Sequence, residues 1–237
     1  MDLSGALAVV TGATEGIGRA IAFALGRAGA KLAICARTDK NVRATVAALF
    51  AERIDAVGTA CDVSNPKAVD AFAAYVLRQR GAPDVLVNNA GIGRFAPIEQ
   101  LTVKDWDETM QVNVRSLFLV TRAFLPAMKE RGSGAIVNVA SLAGKNGVEG
   151  GTAYCASKHA VLGFSKALML EARKRDIRVI AVCPGSVDTA FGNGQDRPRP
   201  KRERALKADD VAQAVLAALS LADRAMLYEL DLRPTNP

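Results

Sequence analysis

The sequence predicts an α/β fold: a doubly wound parallel sheet of about seven strands, flanked by helices on both faces. Three observations predict it. Short apolar runs alternate along the chain with longer segments whose apolar residues recur at i, i+3 and i+4. The runs are nearly continuous, which suits strands buried on both faces. The connections are short, so a repeated β-α order returns each strand parallel to the last through a right-handed crossover. The 237 residues, half of them hydrophobic and 23% charged, suffice for one packed core and exclude disorder for most of the chain.

The elements follow in order. Residues 7–11 (LAVVT) form the first strand, and 17–28 the first helix, closed by Gly29. Residues 31–36 (KLAICA) form the second strand, with a helix over 40–52. The third strand, 55–61 (DAVGTAC), leads to a helix over 66–80, where Asn65 is the cap, Pro66 the first helical residue and Gly81 the stop. After the fourth strand, 85–88 (VLVN), one long helix is expected over 102–129, opened by Thr102 with Asp105 three residues on. Strand 135–140 and helix 153–175 follow, then strand 177–183, helix 208–221 and a last strand over 225–231. No linker or repeat divides residues 1–237, so the reading is a single domain whose one irregular stretch is the loop 190–207.

Composition removes several function classes. No run of about 18 apolar residues exists, so no membrane span is expected. The opening MDLSGALAVVTG has no basic leader and does not read as a secretory signal. Cys35, Cys61, Cys155 and Cys183 lie far apart, and His159 is the single histidine. Neither a disulfide framework nor a metal site is expected, and the cytoplasm is the expected location. The net charge of +7 is local: 197–207 (RPRPKRERALK) holds six basic residues against one acid, which leaves +2 for the other 226 residues. With no aromatics interleaved to stack bases, nucleic-acid binding is not expected.

The chemistry-bearing positions are scattered in sequence. The first strand ends in Thr11-Gly12-Ala13-Thr14-Glu15-Gly16-Ile17-Gly18, where glycines let backbone approach a pyrophosphate and a helix N-terminus offers N–H groups to it. The spacing is GxxxGxG, not GxGxxG, and a tight turn alone would also use glycine. Asn88-Asn89-Ala90-Gly91 ends the fourth strand, Ser141 follows the fifth, and Pro184-Gly185 follows the sixth. These are the C-terminal strand ends, where open α/β sheets bind ligands. Tyr154 and Lys158 are spaced i, i+4 and share one helix face. Asn113 lies within the long helix. Singly, Tyr154 reads as a packing ring, Ser141 as a strand-end hydroxyl and Asn113 as a polar helix residue.

Together these motifs resemble the short-chain dehydrogenase/reductase family in its compact, Rossmann-type form, and most of all the β-ketoacyl-acyl-carrier-protein reductases. The resemblance covers essentially the whole chain. It implies that Tyr154 passes a proton to a substrate carbonyl, with Lys158 lowering the phenol's pKa and holding the nicotinamide ribose. It implies further that Ser141 donates to the same oxygen, and that the backbone carbonyl of Asn113 holds a relay water. Cofactor contacts carried over by position are Gly12, Thr14, Gly16, Ile17, Gly18, Asn89, Ala90, Gly91, Pro184, Gly185 and Val187, with Asp62 and Val63 at the adenine and Thr189 at the carboxamide.

The position where NAD-preferring relatives carry an acid is Ala36, followed by Arg37 and Thr38. That favours NADP(H) over NAD(H), because a carboxylate repels a 2′-phosphate and a guanidinium binds it. Glu15 departs from the pattern, since NADP-preferring relatives often have a basic residue there. A carbonyl or acyl-thioester substrate is implied, and the family resemblance implies a homo-oligomer, tetramer or dimer. Arg197, Arg199, Lys201, Arg202 and Arg204 either attract an acidic partner such as an acyl carrier protein or form a solvated loop; Arg131, Arg173, Lys174 and Arg175 are secondary candidates. The chain ends at Arg233-Pro234-Thr235-Asn236-Pro237, without the glycine-rich close common among those reductases. Another ketone or alcohol substrate, or a dinucleotide sensor without turnover, stays open. Cys155 and Trp106 read as packing residues, and His159 as a surface or subunit-contact residue.

Overall fold

The inner strands of the sheet are buried on both sides, and the arrangement of the helices explains why. The computed structural model describes residues 1–191 and 204–235. Its seven strands are β1 (Leu7–Thr11), β2 (Lys31–Ala36), β3 (Ala56–Ala60), β4 (Val85–Asn88), β5 (Gly134–Val139), β6 (Ile177–Pro184) and β7 (Glu229–Leu232). They lie in the order β3-β2-β1-β4-β5-β6-β7, all parallel. Helices α1 (Gly16–Arg27), α2 (Asp39–Ala51) and α7 (Ala208–Ser220) cover one face. There Ile21, Leu25, Leu49, Val215 and Leu219 pack on Ala8, Val10, Leu32 and Ile34. On the other face α3 (Pro66–Arg80), α5 (Ser116–Arg131) and α6 (Thr152–Ala172) bring Phe72, Val76, Phe124, Met128 and Leu168 onto Leu7, Val9, Ala33 and Leu86. Neighbours such as Val9 and Val10 thus enter opposite cores, and the strands lose their polar alternation.

The chain winds outward from β1 to β3, then returns to place β4 on the other side of β1. That reversal opens a crevice at the C-terminal ends of β1 and β4. Local signals end most elements as the sequence expects. Asn65 accepts from the N–H groups of Lys67 and Ala68 at 3.0 and 3.3 Å, and Thr102 Oγ1 accepts from Asp105 N at 3.1 Å. Gly132, at φ 74°, closes α5 in the left-handed region. Among the described residues no helix is long and apolar enough to cross a membrane.

Three expectations are corrected. The single helix over 102–129 is two: α4 (Val103–Met110) and α5 are joined by a π turn over Gln111–Arg115. There the N–H of Ser116 reaches the carbonyl of Gln111, five residues back. The last strand begins at Glu229, not at 225, because Val179 N donates to Met226 Sδ at 3.4 Å and backbone pairing with β6 starts only at Ala181 N to Tyr228 O, 2.8 Å. Trp106 is 39% exposed, so it is not a packing residue within this chain.

Arg178, in β6 and 6% exposed, donates to Leu219 O at 3.0 Å and Leu221 O at 3.3 Å, at the end of α7. The N-terminal ammonium reaches the same two carbonyls at 3.1 and 3.2 Å. Cations satisfy the orphan carbonyls of a helix C-terminus and oppose its dipole. Arg178→Met should therefore cost about 1.5 kcal/mol in urea unfolding. An unchanged midpoint would show that the N-terminal ammonium suffices.

Candidate active site

The crevice is held open by backbone that cannot carry side chains. After β1 the chain turns at Gly12, whose φ is +63°, and a Cβ there would lie 2.9 Å from the Cα of Ala90. A Cβ on Gly18 would lie 2.2 Å from Asn89 Nδ2 and 2.3 Å from Gly12 O. Asn89 Nδ2 donates to Thr11 O and Gly12 O at 3.0 and 3.1 Å, and Thr11 Oγ1 accepts from Asn89 N and Ala90 N, both at 3.1 Å. The turn after β1 is thereby fastened to the segment after β4. Helix α1 starts beyond it with no side-chain cap and no acid in its first turn, so its leading N–H groups suit an anion.

From this turn a cleft runs along the strand ends. Every position carried over for the cofactor lines it: Gly12, Thr14, Gly16, Ile17 and Gly18; Arg37 and Thr38; Asp62 and Val63; Asn89, Ala90 and Gly91; Pro184, Gly185, Val187 and Thr189. Arg37 is exposed, one residue past Ala36, and Glu15 lines the same cleft. These glycine cradles and the uncapped helix fit a dinucleotide. Asn41, Ile92, Asp188 and Phe191 also line the cleft, and sequence reasoning missed them. Asn41 was the most legible of these, one turn into α2 behind Thr38.

Ser141, Tyr154 and Lys158 meet at the other end. Ser141 leaves β5 in extended conformation, and its Oγ accepts from Ala143 N at 3.1 Å while donating to Pro184 O at 3.4 Å. The long second bond leaves the hydroxyl proton readily diverted to a ligand. A 3₁₀ turn (Leu142–Gly144) follows, and Gly144 lets it press on α6, since a Cβ there would lie 2.8 Å from Lys158 O. Lys145 Nζ then pairs with Glu229 and Asp231, tying this segment to β7.

Lys158 is buried, and its Nζ donates to Val139 O at 2.8 Å and sits 5.8 Å from the centroid of the Tyr154 ring. Burial pushes the Lys158 ammonium down to about 8. Tyr154 is itself buried against Phe95 and Phe191.

Asn113 lies outside this cleft. Its side chain is a clamp: Nδ2 donates to Ile92 O at 2.8 Å and Ser157 Oγ at 2.9 Å, while Oδ1 accepts from Ile92 N at 2.8 Å. Ser157 Oγ in turn donates to Tyr154 O at 2.7 Å. The π turn presents Asn113 to the segment after β4 and to Ser157 of α6 together. A small cavity behind Lys158, lined by Thr11, Asn88, Asn113, Ser116 and Val139, adjoins it.

The remaining candidates disperse. His159 is exposed, with Nδ1 2.9 Å from Cys155 O, and Cys155 is half-buried. Arg131 is corrected as a docking residue. It donates to Ala82 O, Pro83 O and Ser133 O and pairs with Asp84 at 3.2 Å, which fixes the approach to β4 and β5. Arg173, Lys174 and Arg175 form an exposed 3₁₀ turn. Arg197, Arg199, Lys201 and Arg202 lie outside the described residues, and Arg204 is exposed.

Comparison with known proteins agrees with this geometry. A family model described as short chain dehydrogenase matches residues 6–199. A putative ketoacyl reductase of Streptomyces coelicolor is 44% identical over 185 residues, covering 77% of this chain and 71% of that one. A D-threitol dehydrogenase of Mycolicibacterium smegmatis is 42% identical over 198 residues, 83% of this chain and 76% of the relative. Among solved structures, a metagenomic short-chain oxidoreductase in complex with NADP superimposes with a TM-score of 0.87 at 39% identity, over all of both chains.

Proposed function

The chain belongs to the short-chain dehydrogenase family, and on that premise we propose that it is an NADP(H)-dependent carbonyl reductase acting on 3-oxoacyl thioesters, with Tyr154 as its acid and base. The observation that carries the reading is the meeting of Ser141, Tyr154 and Lys158 at one end of a dinucleotide-sized cleft. When bound, the reduced nicotinamide supplies the hydride. The chain's own residues manage the proton and the charge. Tyr154 gives its phenolic proton to the substrate oxygen, and Ser141 exchanges its long bond to Pro184 O for one to that same oxygen. Lys158, held by Val139 O, keeps a positive charge beside the phenol as it ionises. Asn113 acts as a positioning residue, fixing the first turn of α6 through Ser157.

Gly12, Thr14, Gly16, Ile17 and Gly18 would hold the pyrophosphate, and Asp62 and Val63 the adenine. Asn89, Ala90, Gly91, Pro184, Gly185, Val187 and Thr189 would line the nicotinamide half. NADP(H) is preferred over NAD(H) because Arg37 stands in the cleft where Ala36 leaves no carboxylate, and the NADP complex of the 39% identical structure supports NADP as a ligand of this cleft. Arg37→Ala should raise the dissociation constant for NADPH about tenfold and leave that for NADH within twofold, as measured by calorimetry. An equal loss for both removes Arg37 from the phosphate site.

The thioester substrate is supported by the relative named as a ketoacyl reductase, and NADPH consumption with acetoacetyl thioesters tests it. The D-threitol dehydrogenase favours a second reading, a small alcohol or ketone, which a panel of such compounds separates. Exposed Val103 and Trp106 on α4, Phe118 on α5 and Leu170 on α6 support a homo-oligomer built on these helices, a dimer or tetramer. An acyl carrier protein docking on the basic residues of 197–207 fits the charge there, and four free cysteines fit the cytoplasm.

A further inference from the structure

Four buried polar side chains meet beneath α6, among the apolar contacts that α5 and α6 make with the sheet. Asn88 of β4 and Asn138 of β5 stand opposite each other in the parallel register. Asn88 Nδ2 donates to Asn138 Oδ1 at 2.9 Å and to Thr121 Oγ1 of α5 at 3.1 Å. Asn138 Nδ2 donates to Ser165 Oγ of α6 at 2.9 Å, and Ser165 Oγ donates onward to Val161 O at 2.7 Å. Asn138 and Ser165 are fully buried, so the bond between them is strong and costly to lose.

The place of Ser165 along α6 gives this network its consequence. Tyr154, Lys158 and Ser165 are spaced i, i+4 and i+11, which puts them on one stripe of the helix. Lys158 Nζ is fastened to Val139 O, and Ser165 Oγ to Asn138, the preceding residue of β5. Two neighbouring residues of one strand thus hold two points of α6. Elsewhere α6 meets the sheet through Val161, Leu162 and Leu168, whose apolar contacts are non-directional and do not set the height of the helix. Near its start Asn113 holds Ser157, but from the π turn rather than from the sheet.

We infer that Asn138 is a positioning residue for the reaction: through Ser165 it sets the height of α6 on β5, and with it the place of Lys158 beside the phenol and the nicotinamide ribose. The inference rests on the carbonyl-reductase reading. Without the bond to Asn138, α6 keeps its apolar contacts but gains freedom to slide along the sheet. A displacement of about 1 Å, less than the rise of one helical residue, is enough to slow a reaction tenfold or more. Asn88 holds Asn138 from β4, and Thr121 ties Asn88 to α5 without touching α6.

The test compares two substitutions that each take one acceptor from a buried amide. Ser165→Ala removes the partner of Asn138 Nδ2 on α6, and Thr121→Val removes a partner of Asn88 Nδ2 on α5. With acetoacetyl-coenzyme A and saturating NADPH, Ser165→Ala should lower kcat about tenfold and leave KM for the thioester within about twofold, whereas Thr121→Val should leave both within about twofold. Calorimetry reads the same displacement without turnover. Ser165→Ala should weaken NADPH about fivefold, through the nicotinamide ribose, and leave 2′,5′-ADP, which carries only the adenine half, within about twofold. Should Ser165→Ala not fold, Ser165→Cys, close in shape but a far weaker acceptor, carries the same comparison. Wild-type kcat and NADPH affinity in the Ser165 variant, or equal losses in Thr121→Val, overturn the inference and leave the network a structural contact. If the wild type binds NADPH but reduces neither thioester nor ketone, the carbonyl-reductase reading falls, and the split between NADPH and 2′,5′-ADP alone decides whether Asn138 positions Lys158.

Discussion

Tyr154→Phe should lower kcat by about 10²–10⁴-fold while leaving the affinity for NADPH within twofold. The substitution is close to a pure test of one proton. The Tyr154 ring is 8% exposed and packed between Phe95 and Phe191, so a phenylalanine ring keeps every apolar contact and loses only the hydroxyl. Ser141 and Lys158 keep their own anchors, Ala143 N and Val139 O, neither of which involves that hydroxyl. What disappears is the donor for the substrate oxygen, and Ser141 cannot replace it, because a serine hydroxyl does not surrender its proton near neutrality. Single-turnover reduction of an acetoacetyl thioester measures the chemical step, and calorimetry with NADPH measures binding. Wild-type turnover in Tyr154→Phe would remove Tyr154 from the mechanism. A parallel loss of NADPH binding would make its role structural.

Much of this molecule is legible in its sequence because the physics there is local or strictly periodic. Val9 and Val10 enter opposite cores, so a short apolar run without alternation fits a strand covered on both sides. Asn65, Thr102 and Gly81 act on neighbours within three or four residues, and their elements end where those residues say. The candidate site was legible for a different reason: parallel topology brings every strand's C-terminal end to one edge, so Gly12, Asn89, Ser141 and Pro184 had to converge.

The failures are equally physical. A π turn adds one residue per turn without a glycine or proline to mark it, so 102–129 reads as unbroken apolar spacing. The clamp of Asn113 on Ile92 and Ser157 depends on that turn, and so was hidden with it. The start of β7 depends on a thioether, Met226 Sδ, taking a backbone partner's place on Val179. Phe191 belongs to the site only because Gly93, far away in sequence, leaves room for its ring.

The second large effect concerns Lys158 and appears as a pH-dependent stability. Burial lowers its pKa from 10.5 to about 8 in the folded protein. Between these values the unfolded chain binds a proton that the native state does not, so the contribution of Lys158 to stability rises with pH across that window. Below about 8 both states are protonated, and the native state carries the full cost of a buried ammonium, about 3 kcal/mol. Cys183, the nearby thiol, is pushed up to about 11 by its own burial and stays neutral through most of the window. Urea unfolding of the wild type and of Lys158→Met at pH 7, 8, 9 and 10 isolates the effect, since other titrations are shared. The wild type should gain on the variant by about 2–3 kcal/mol between pH 8 and 10, with a flat difference below pH 8. A constant difference throughout would mean that Lys158 keeps an ordinary pKa. It would then hold its charge beside Tyr154 at no cost to the fold, whereas a rising difference shows that the folded protein sustains that charge at neutral pH against its own stability.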